Sequence, residues 1–483
     1  MKVIDSWLAE GQEKSLLAQI ASSCNRAKLP DIGDPTEIGL LEFAKKEEVE
    51  RLNVDDEEVP FTSESKYMQT RHSDLVFLKG APEKIVELAG GDHSALEEAD
   101  DAFASKGLRV LACAVKKGND ITVVGLIAME DPPRLTAAQA IKEAKAAGIR
   151  TIMITGDNVK TAASIAAQVG IEGKAIHGSE IDQMTLHQLQ VALQDAAVFA
   201  RVSPVHKLRI LEVLQSAGEV VAMSGDGVND APALKGAHVG VAMGKVGTEV
   251  AREASSIVLA DDHFATIVVA IKEGRRIYDN IKKFVLFLLR ANFDELLFIA
   301  TTIILGMPLP YLPLHILWIN LMTDGLPALA LGMEPAEPDI MKRKPRSQDE
   351  HILHGEWGRL LFSSVFAFAI AFVFFLWQLS QGIPVIEARS ATLTLAIVFE
   401  LCLAFSVRSR EPIWRIGFFS NPWLIGATAI PFMLQFVLLY TPLNILFHVS
   451  PISFMQWIEV FALALTAFAV FEVIKLLPDK IKA

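Results

Sequence analysis

Apolar residues are distributed unevenly along this chain, and their distribution limits what the chain can fold into. Up to about residue 280 the sequence reads as a charged, water-soluble α/β protein. Beyond that point it carries apolar runs of about the 20 residues that a helix needs to cross a bilayer. The length of 483 residues also favours more than one domain. We therefore predict a soluble α/β part followed by a bundle of membrane helices.

Net charge and cysteine content exclude several classes of protein. The formal net charge of −12 argues against nucleic acid as a partner. The three cysteines, Cys24, Cys113 and Cys402, form no close pair in the sequence. They therefore predict neither a disulfide framework nor a zinc site.

Strand and helix patterns alternate between residues 120 and 280, which predicts right-handed βαβ units and a parallel sheet. Functional residues on such a sheet gather beyond the carboxyl ends of the strands. We place the strands within residues 121–131, 149–158, 196–202, 219–227 and 238–244.

Polar residues follow two of these strands. Carboxylate and amide oxygens suit Mg²⁺, which also binds phosphate oxygens, and a lysine can hold the group being transferred. A lone Thr-Gly-Asp is usually only a capped turn, but two Gly-Asp turns at successive strand ends favour a phosphoryl-transfer site. The residues are Thr155, Gly156 and Asp157 after one strand, Asp226, Asn229 and Asp230 after another, and Lys207 at a helix start.

The first 115 residues also alternate strands and helices, and they contain side chains that suit a nucleotide. An exposed Phe can stack on an adenine ring, and Lys or Arg can neutralise phosphates. Taken alone the pattern is weak, because such a Phe is more often a core residue and such a Lys a solvated turn residue. The candidates are Glu37, Phe61, Lys66, Lys79 and Arg109.

Several stretches resemble the P-type ATPases, cation pumps with a haloacid-dehalogenase-like phosphorylation domain. They are MITGDNVKTA, FARVSPVHK and SGDGVNDAPALKGAHVGVAMG, with KGAPE (79–83) and DPPR (131–134) typical of the calcium-pump-like branch. The resemblance runs from about residue 30 to near the C-terminus. It implies that Asp226 binds Mg²⁺ beside Asn229 and Asp230, and that Thr155, Gly156, Asp157 and Lys207 serve the phosphoryl group. It also implies that ATP lies near Glu37, Phe61, Lys66, Lys79, Arg109 and Arg201.

The aspartate that this family phosphorylates is not found in the sequence. That Asp begins an Asp-Lys-Thr-Gly-Thr motif, whereas the only Asp-Lys pair here is Asp479-Lys480, followed by Ile481. The resemblance therefore implies the C-terminal part of a pump, without the actuator domain, the first four membrane helices and the strand bearing the nucleophile. That strand is central in the family, so its neighbours are expected to carry unpaired backbone groups. A split gene, a truncated reading frame and an incomplete gene model are all compatible with this pattern.

Six membrane spans are predicted in the second half. Residues 263–306 read as a helix that starts in water and enters the membrane, and five further spans follow. Lys and Arg concentrate on one side of the spans, which places the soluble part and the C-terminus in the cytoplasm. The further spans are 311–331, 360–379, 391–407, 423–440 and 454–474, and the basic clusters are 342–346, 408–415 and 475–482.

Polar residues inside three of these spans predict a cation site, because ionisable groups in a membrane are costly and mark function. Oxygen-only ligands suit a hard cation such as Ca²⁺, and interhelical hydrogen bonds are the less favoured explanation. Gly325 and Pro327 should loosen the second span and free carbonyls. For Glu459 and Glu472 near span ends, plain interhelical contacts are favoured. The family resemblance matches Asn292, Glu295, Asn320, Thr323, Asp324 and Glu400 to ion ligands, while Asp294 departs from its pattern.

The predicted fold is thus multidomain α/β plus membrane α. Residues 1–118 form a partial α+β nucleotide-binding domain, and 119–262 a haloacid-dehalogenase-like parallel-sheet domain without its first strand. Residues 263–307 form a stalk and the first membrane helix, and 308–483 complete a six-helix transmembrane bundle.

The predicted function is the C-terminal part of an ATP-driven cation pump, most consistent with Ca²⁺, which uses ATP and Mg²⁺ and is inactive alone. Alternatives are one half of a split pump completed by a second chain, a non-catalytic membrane-anchored nucleotide-binding subunit, and a free-standing phosphatase, which the missing nucleophile disfavours.

Overall fold

The chain divides into two compact units, residues 1–268 and 269–483. The structure, a computed structural model, describes residues 1–30, 33–54, 58–62, 65–118, 120–130, 133–347 and 350–476. Asp131 and Pro132 of the DPPR stretch and the Asp479-Lys480 pair lie outside the described residues.

The first half of the N-terminal unit is built on an antiparallel sheet of six strands, in the order β1-β6-β5-β4-β3-β2. Helices cover both faces of this sheet, because successive strand residues point to opposite sides. Phe77 packs with the first two helices, whereas its neighbour Leu78 packs with the next two. The elements are β1 Lys2–Leu8, α1 Lys14–Ser23, α2 Pro35–Lys46, β2 Glu58–Val59, β3 Tyr67–His72, β4 Leu75–Gly80, α3 Pro82–Ala89, α4 Ser94–Ser105, β5 Arg109–Lys117 and β6 Asp120–Glu130.

The strand predicted at 121–131 is present as β6, but it does not belong to the parallel sheet in which the sequence pattern placed it. It pairs antiparallel with β5 and β1. Lys117 faces Asp120 across a tight hairpin, and Gly118 has the positive φ of 62° that such a turn requires. Because a tight hairpin needs no crossover connection, β6 pairs with β5, the strand just before it in the chain.

The second half of the N-terminal unit contains the predicted parallel strands and helices, but as two sheets of three strands. The orders are β7-β9-β8 and β10-β11-β12, and all four pairings are parallel. The elements are α5 Leu135–Ala146, β7 Met153–Ile154, α6 Val159–Val169, β8 Lys174–His177, α7 Gly178–Gln183, α8 Leu186–Asp195, β9 Ala196–Ala200, α9 Pro204–Ser216, β10 Ala222–Gly225, α10 Ala231–Gly236, β11 Val239–Met243, α11 Glu249–Ala254 and β12 Ile257–Leu259.

The strands β7 and β10 lie at sheet edges. Every residue of the central strand β9 is buried, as expected for a parallel strand covered on both faces. In β10, by contrast, Ala222 and Ser224 are exposed, and both residues of β7 are only half-buried. The two edge strands are therefore less covered than an interior strand would be.

The second unit is helical. A long helix leads into it, and eight further α-helices follow among the described residues, of which four have seven residues or fewer. The bounds are α12 Phe264–Ile304, α13 Pro313–Trp318, α14 Gly325–Leu331, α15 Trp357–Ser380, α16 Val385–Val407, α17 Ile413–Ile416, α18 Pro422–Tyr440, α19 Leu443–Phe447 and α20 Phe454–Ile474.

Five stretches among the described residues are long and apolar enough to cross a membrane: 313–331, 357–380, 385–407, 422–440 and 454–474. These coincide with the five later predicted spans to within a few residues. The C-terminal half of α12 is helical as predicted, but Arg290, Asp294 and Glu295 make it too polar to be counted with them. The third of the five, α16, is almost wholly enclosed by the other helices.

The stretch 313–331 is not a uniform helix. Residues Ile319–Asp324 form a π-helical turn between α13 and α14, directly before Gly325. The expected loosening near Gly325 and Pro327 therefore takes the form of a wider turn, a feature often found at functional sites.

Candidate functional site

The loop after β7 is held by its own side chains. The Thr155 hydroxyl donates to an Asp157 carboxylate oxygen over 2.9 Å and accepts from the Asp157 backbone N–H over 3.1 Å. The Asp157 carbonyl accepts from the backbone N–H of Arg201, whose φ is +52°. Asn158 then caps α6 by accepting from the N–H of Lys160. These bonds fix the Thr-Gly-Asp loop at the carboxyl end of the sheet.

The loop after β10 is organised by Asp230, which is buried. One carboxylate oxygen contacts the Lys207 ammonium, and the other lies 3.3 and 3.4 Å from the backbone N–H groups of Asp226 and Gly227. A Cβ added at Gly225 would lie 2.6 Å from that of Asp230, so only glycine fits there. The predicted pair Lys207 and Asp230 is thus brought into direct contact.

Asp226 and Asn229 are exposed at the same loop, and no described residue hydrogen-bonds to their side chains. Their free oxygens suit Mg²⁺. Within the described residues no three His, Cys, Asp or Glu side chains form a metal cage by themselves. Such a sparse ligand set fits Mg²⁺, which keeps several waters and binds substrate phosphates in addition.

Asp262 is a further residue of this region that the sequence motifs did not reveal. Its carboxylate accepts from the backbone N–H groups of residues 244–246 over 2.7 to 3.0 Å. The same loop continues to Thr248, whose N–H donates to the Asp226 carbonyl over 2.8 Å. The Lys245 N–H is the main reason why the pKa of the Asp262 carboxyl is lowered from its usual value. Asp262 therefore anchors the loop that supports Asp226.

A positive φ of 56° and the Arg134 guanidinium, which donates to the Asp262 carbonyl over 2.8 Å, hold Asp262 in place. Arg134 is the last residue of the DPPR stretch, so at least this part of the stretch has a structural role, which is to hold Asp262. In the sequence, these contacts of Asp262 are marked only by the Asp261-Asp262 pair, which does not indicate which residues Asp262 contacts.

Lys79 of β4 and Glu37 of α2 pair at 3.3 Å, and both side chains are largely buried. Glu37 also accepts from the backbone N–H of Arg26. Lys79 lies within β4, so the expectation that such a residue is usually a solvated turn lysine does not hold. Its charge is already matched by Glu37, which leaves it less available to a phosphate group.

Glu83 joins two other predicted nucleotide residues. One of its oxygens lies 3.4 Å from the Lys66 ammonium and 3.4 Å from the Arg201 guanidinium. In the sequence, Glu83 stands out only as the last residue of the KGAPE stretch. Phe61 is 54% exposed, as a stacking platform requires, and Arg109 is exposed at the start of β5.

Four of the predicted ion ligands are buried in the helical unit: Glu295 of α12, Thr323 and Asp324 of the π-helical turn, and Glu400 of α16. Each has at least one buried oxygen without a hydrogen-bond partner among the described residues, and Glu400 has two. The charges of Glu295 and Asp324 act on Glu400, so the three carboxylates lie near one another. Unpaired buried carboxylate oxygens are costly, and a cation bound between them would remove that cost.

The two asparagines are less well placed. Asn292 is exposed, and its amide donates to the Leu288 carbonyl of its own helix and weakly, over 3.5 Å, to Asp324. Asn320 is half-buried and donates to the Ile316 carbonyl. The wider π-helical turn changes the spacing of side chains around the helix, so Asn320 does not share the buried position of Thr323 and Asp324.

Glu459 and Glu472 make the interhelical contacts expected of them. Glu459 accepts from the Gln378 amide over 3.0 Å. Glu472 accepts from the backbone N–H of Ile413 and pairs with Lys475.

Two family models match the chain. Residues 25–238 match haloacid dehalogenase-like hydrolase, and residues 308–477 match the C-terminus of cation transporting ATPases. The first region includes the Thr155–Asp157 and Asp226–Asp230 loops, and the second includes Thr323, Asp324 and Glu400, whereas Glu295 lies outside both.

Relatives of the chain include named pumps. It is 40% identical, over 92% of its length, to a probable cation-transporting ATPase F of Mycobacterium tuberculosis, of which the match covers 54%. It is 40% identical, over 89% of its length, to a calcium-transporting ATPase of Bacillus subtilis, covering 53% of it. It is 33% identical, over 98% of its length, to an endoplasmic reticulum calcium ATPase of Aspergillus fumigatus, covering 60% of it. The chain therefore spans just over half the length of these relatives.

Proposed function

Because this chain belongs to the family of cation-transporting P-type ATPases, we propose that it supplies the nucleotide, phosphate and ion sites of an ATP-driven Ca²⁺ pump. The observation that carries the choice of a hard cation is the set of buried carboxylate oxygens on α12, the π-helical turn and α16 that have no hydrogen-bond partner in the part of the chain that the structure describes. Two of the relatives are named as calcium pumps, which supports Ca²⁺ in particular.

The soluble part positions the phosphoryl group. Lys207 lies beside Asp230 and can neutralise a phosphate oxygen, while Thr155 and Gly156 offer a hydroxyl and a backbone N–H at a neighbouring loop. Mg²⁺ bound at Asp226 would reduce the negative charge of the phosphates. Asp262 keeps the Asp226 loop in place through the backbone of residues 244–248.

We also propose that the phosphoryl acceptor comes from outside this sequence. No Asp here begins the Asp-Lys-Thr-Gly-Thr motif. Both loops with phosphate ligands follow edge strands, β7 and β10, whose open edges support the insertion of one further parallel strand. A strand in that position would bring its carboxyl end to Asp157 and Asp226.

The helical unit is proposed to cross the membrane six times, with α12 as the first span. Lys and Arg flank one end of the spans, which supports a cytoplasmic position for the soluble part and the C-terminus.

The purified chain alone should form no phosphoenzyme, because its ligands can orient a phosphoryl group but provide no in-line aspartate. The measurement is incubation with γ-labelled ATP, Mg²⁺ and Ca²⁺, followed by an acid quench and detection of label on the protein. Label should appear when a polypeptide with the Asp-Lys-Thr-Gly-Thr motif is co-expressed, and it should disappear when Lys207 is replaced by Ala.

A hydroxylamine-sensitive label on the chain alone would instead identify an acceptor within it. Saturable ATP binding without any labelling, even with the second polypeptide present, would favour a non-catalytic nucleotide-binding subunit.

Nucleotide binding should depend on Phe61. Its exposed ring is free to stack on adenine, and removing such a stack costs about 1–3 kcal/mol, so Phe61→Ala should weaken ATP binding roughly five- to 150-fold. The measurement is titration of the full chain with a fluorescent ATP analogue. Lys79→Ala is a poorer test because it would leave the largely buried Glu37 unpaired.

Leu186→Ala serves as the matched control, since Leu186 is also a large exposed apolar residue but lies in α8. Equal ATP affinity in the Phe61 and Leu186 variants would remove Phe61 from the binding site.

A further inference from the structure

A cluster of cationic side chains surrounds one buried carboxylate in the helical unit. Glu356 lies 3.2 Å from Lys282, 3.6 Å from Arg359 and 3.0 Å from Arg410. Burial acts to raise the pKa of Glu356, yet that pKa is lowered, because these three cations together outweigh the burial. Glu356 is therefore a fully charged carboxylate, and the positive charges around it outnumber it.

Positive charge is in excess here. Arg290 of α12 also interacts electrostatically with Glu356 and with Arg359, so a fourth cation lies near this carboxylate. The Nε of Arg290 and the Nε of Arg359 are buried and have no hydrogen-bond partner among the described residues. Buried donors without acceptors are costly, and an anion bound among these cations would lower that cost.

The cluster lies at the edge of the membrane-spanning region. Glu356 directly precedes α15, Arg359 lies in its first turn, and Arg410 follows the end of α16. The start of α15 and the end of α16 therefore lie on the same side of the bilayer.

Exposed aromatic rings mark the same level. Trp357, Trp414 and Trp423 are 53%, 58% and 66% exposed, and they lie at the start of α15, in α17 and at the start of α18. Tryptophans that are exposed at span ends are typical of the boundary between headgroups and acyl chains.

A lipid-facing apolar surface begins next to Arg359. Leu361, Phe362 and Val365 follow it on α15 and are 47–51% exposed. A molecule held by the arginines can thus extend an acyl chain along α15, which a free inorganic anion cannot do.

From this arrangement we propose that Arg290, Arg359, Arg410 and Lys282 form a binding site for the headgroup phosphate of an anionic phospholipid. The guanidinium groups donate to the phosphate oxygens, and the acyl chains lie against the exposed side chains of α15. The site is separate from the phosphate loops of the soluble unit and does not depend on pump activity.

Native mass spectrometry of the detergent-solubilised chain, titrated with phosphatidylglycerol or phosphatidylcholine, tests this proposal. The wild type should retain phosphatidylglycerol in preference to phosphatidylcholine. Arg290→Gln combined with Arg359→Gln should weaken phosphatidylglycerol binding about tenfold or more. Arg410→Gln, at a side chain that is 67% exposed, should weaken it without endangering the fold.

Arg415→Gln is the control, because Arg415 lies on the same side of the membrane but pairs with Glu411 outside the cluster. Unchanged lipid binding in both the double variant and Arg410→Gln would overturn the proposal. An equal loss in Arg415→Gln would also overturn it, since it would indicate general surface attraction. Complete displacement of phosphatidylglycerol by millimolar inorganic phosphate would show a free-anion site and would exclude the lipid.

Discussion

Replacing Asp324 by Asn should weaken Ca²⁺ binding to the purified chain at least about tenfold. Asp324 is 1% exposed and has a buried oxygen without a partner among the described residues. The change keeps the shape of the side chain but removes a charge that must offset the dehydration of the cation. Equilibrium binding of radioactive Ca²⁺ in detergent measures the effect, and Glu400→Gln should give the same result.

The control for this experiment is Glu459→Gln. Glu459 is also a carboxylate of a membrane helix, but it accepts a hydrogen bond from the Gln378 amide. Its replacement should leave Ca²⁺ affinity unchanged. If Asp324→Asn and Glu459→Gln behave alike, the buried carboxylates of α12, the π-helical turn and α16 are not the Ca²⁺ ligands.

Replacing Arg408 by Met should be among the most destabilising single changes in the helical unit, at about 3–5 kcal/mol. The Arg408 side chain is 0% exposed and its Nε donates to Glu334 over 2.7 Å, while another nitrogen donates to the Phe418 carbonyl over 3.0 Å. Its loss would leave the Glu334 carboxylate buried without its charge partner. Unfolding of the detergent-solubilised chain in increasing dodecyl sulfate, followed by circular dichroism, measures this cost.

A second variant separates the charge effect from packing. When Glu334→Met is added to Arg408→Met, no unpaired charge remains, so a large part of the lost stability should return. Asn421 would still lose its bond to Glu334, which limits the recovery. If the double variant is as unstable as Arg408→Met, the stability of this region does not depend on charge pairing.

Local patterns in the sequence were sufficient to place most of the helices and strands that carry the sites. The Thr155–Asp157 and Asp226–Asp230 loops follow β7 and β10 as predicted, because apolar periodicity and Gly-rich turns are properties of a few adjacent residues. The five later membrane spans were predicted for the same reason, since their length and hydropathy are local quantities.

Partnerships across the chain could not be predicted in this way. The sequence shows β6 as a strand, but only the tertiary structure shows that it joins the antiparallel sheet. Lys79 has the appearance of an exposed lysine until β4 and α2 bring it against Glu37, 42 residues away. Asn320 fits a helix face by its spacing, and the π-helical turn separates it from the buried Thr323 and Asp324.

By itself, the sequence determined the two-part character of this protein, the position of the Thr155–Asp157 and Asp226–Asp230 loops after their strands, and the presence of acidic residues within its apolar helices. Only the tertiary structure decided that Asp262 holds the Asp226 loop, that Arg134 holds Asp262 from 128 residues away, and that three cations pair with Glu356. The physical reason is that residue type and periodicity are set locally. The burial of a charge and the choice of its partner depend instead on segments that are distant in the chain and become neighbours only when it folds.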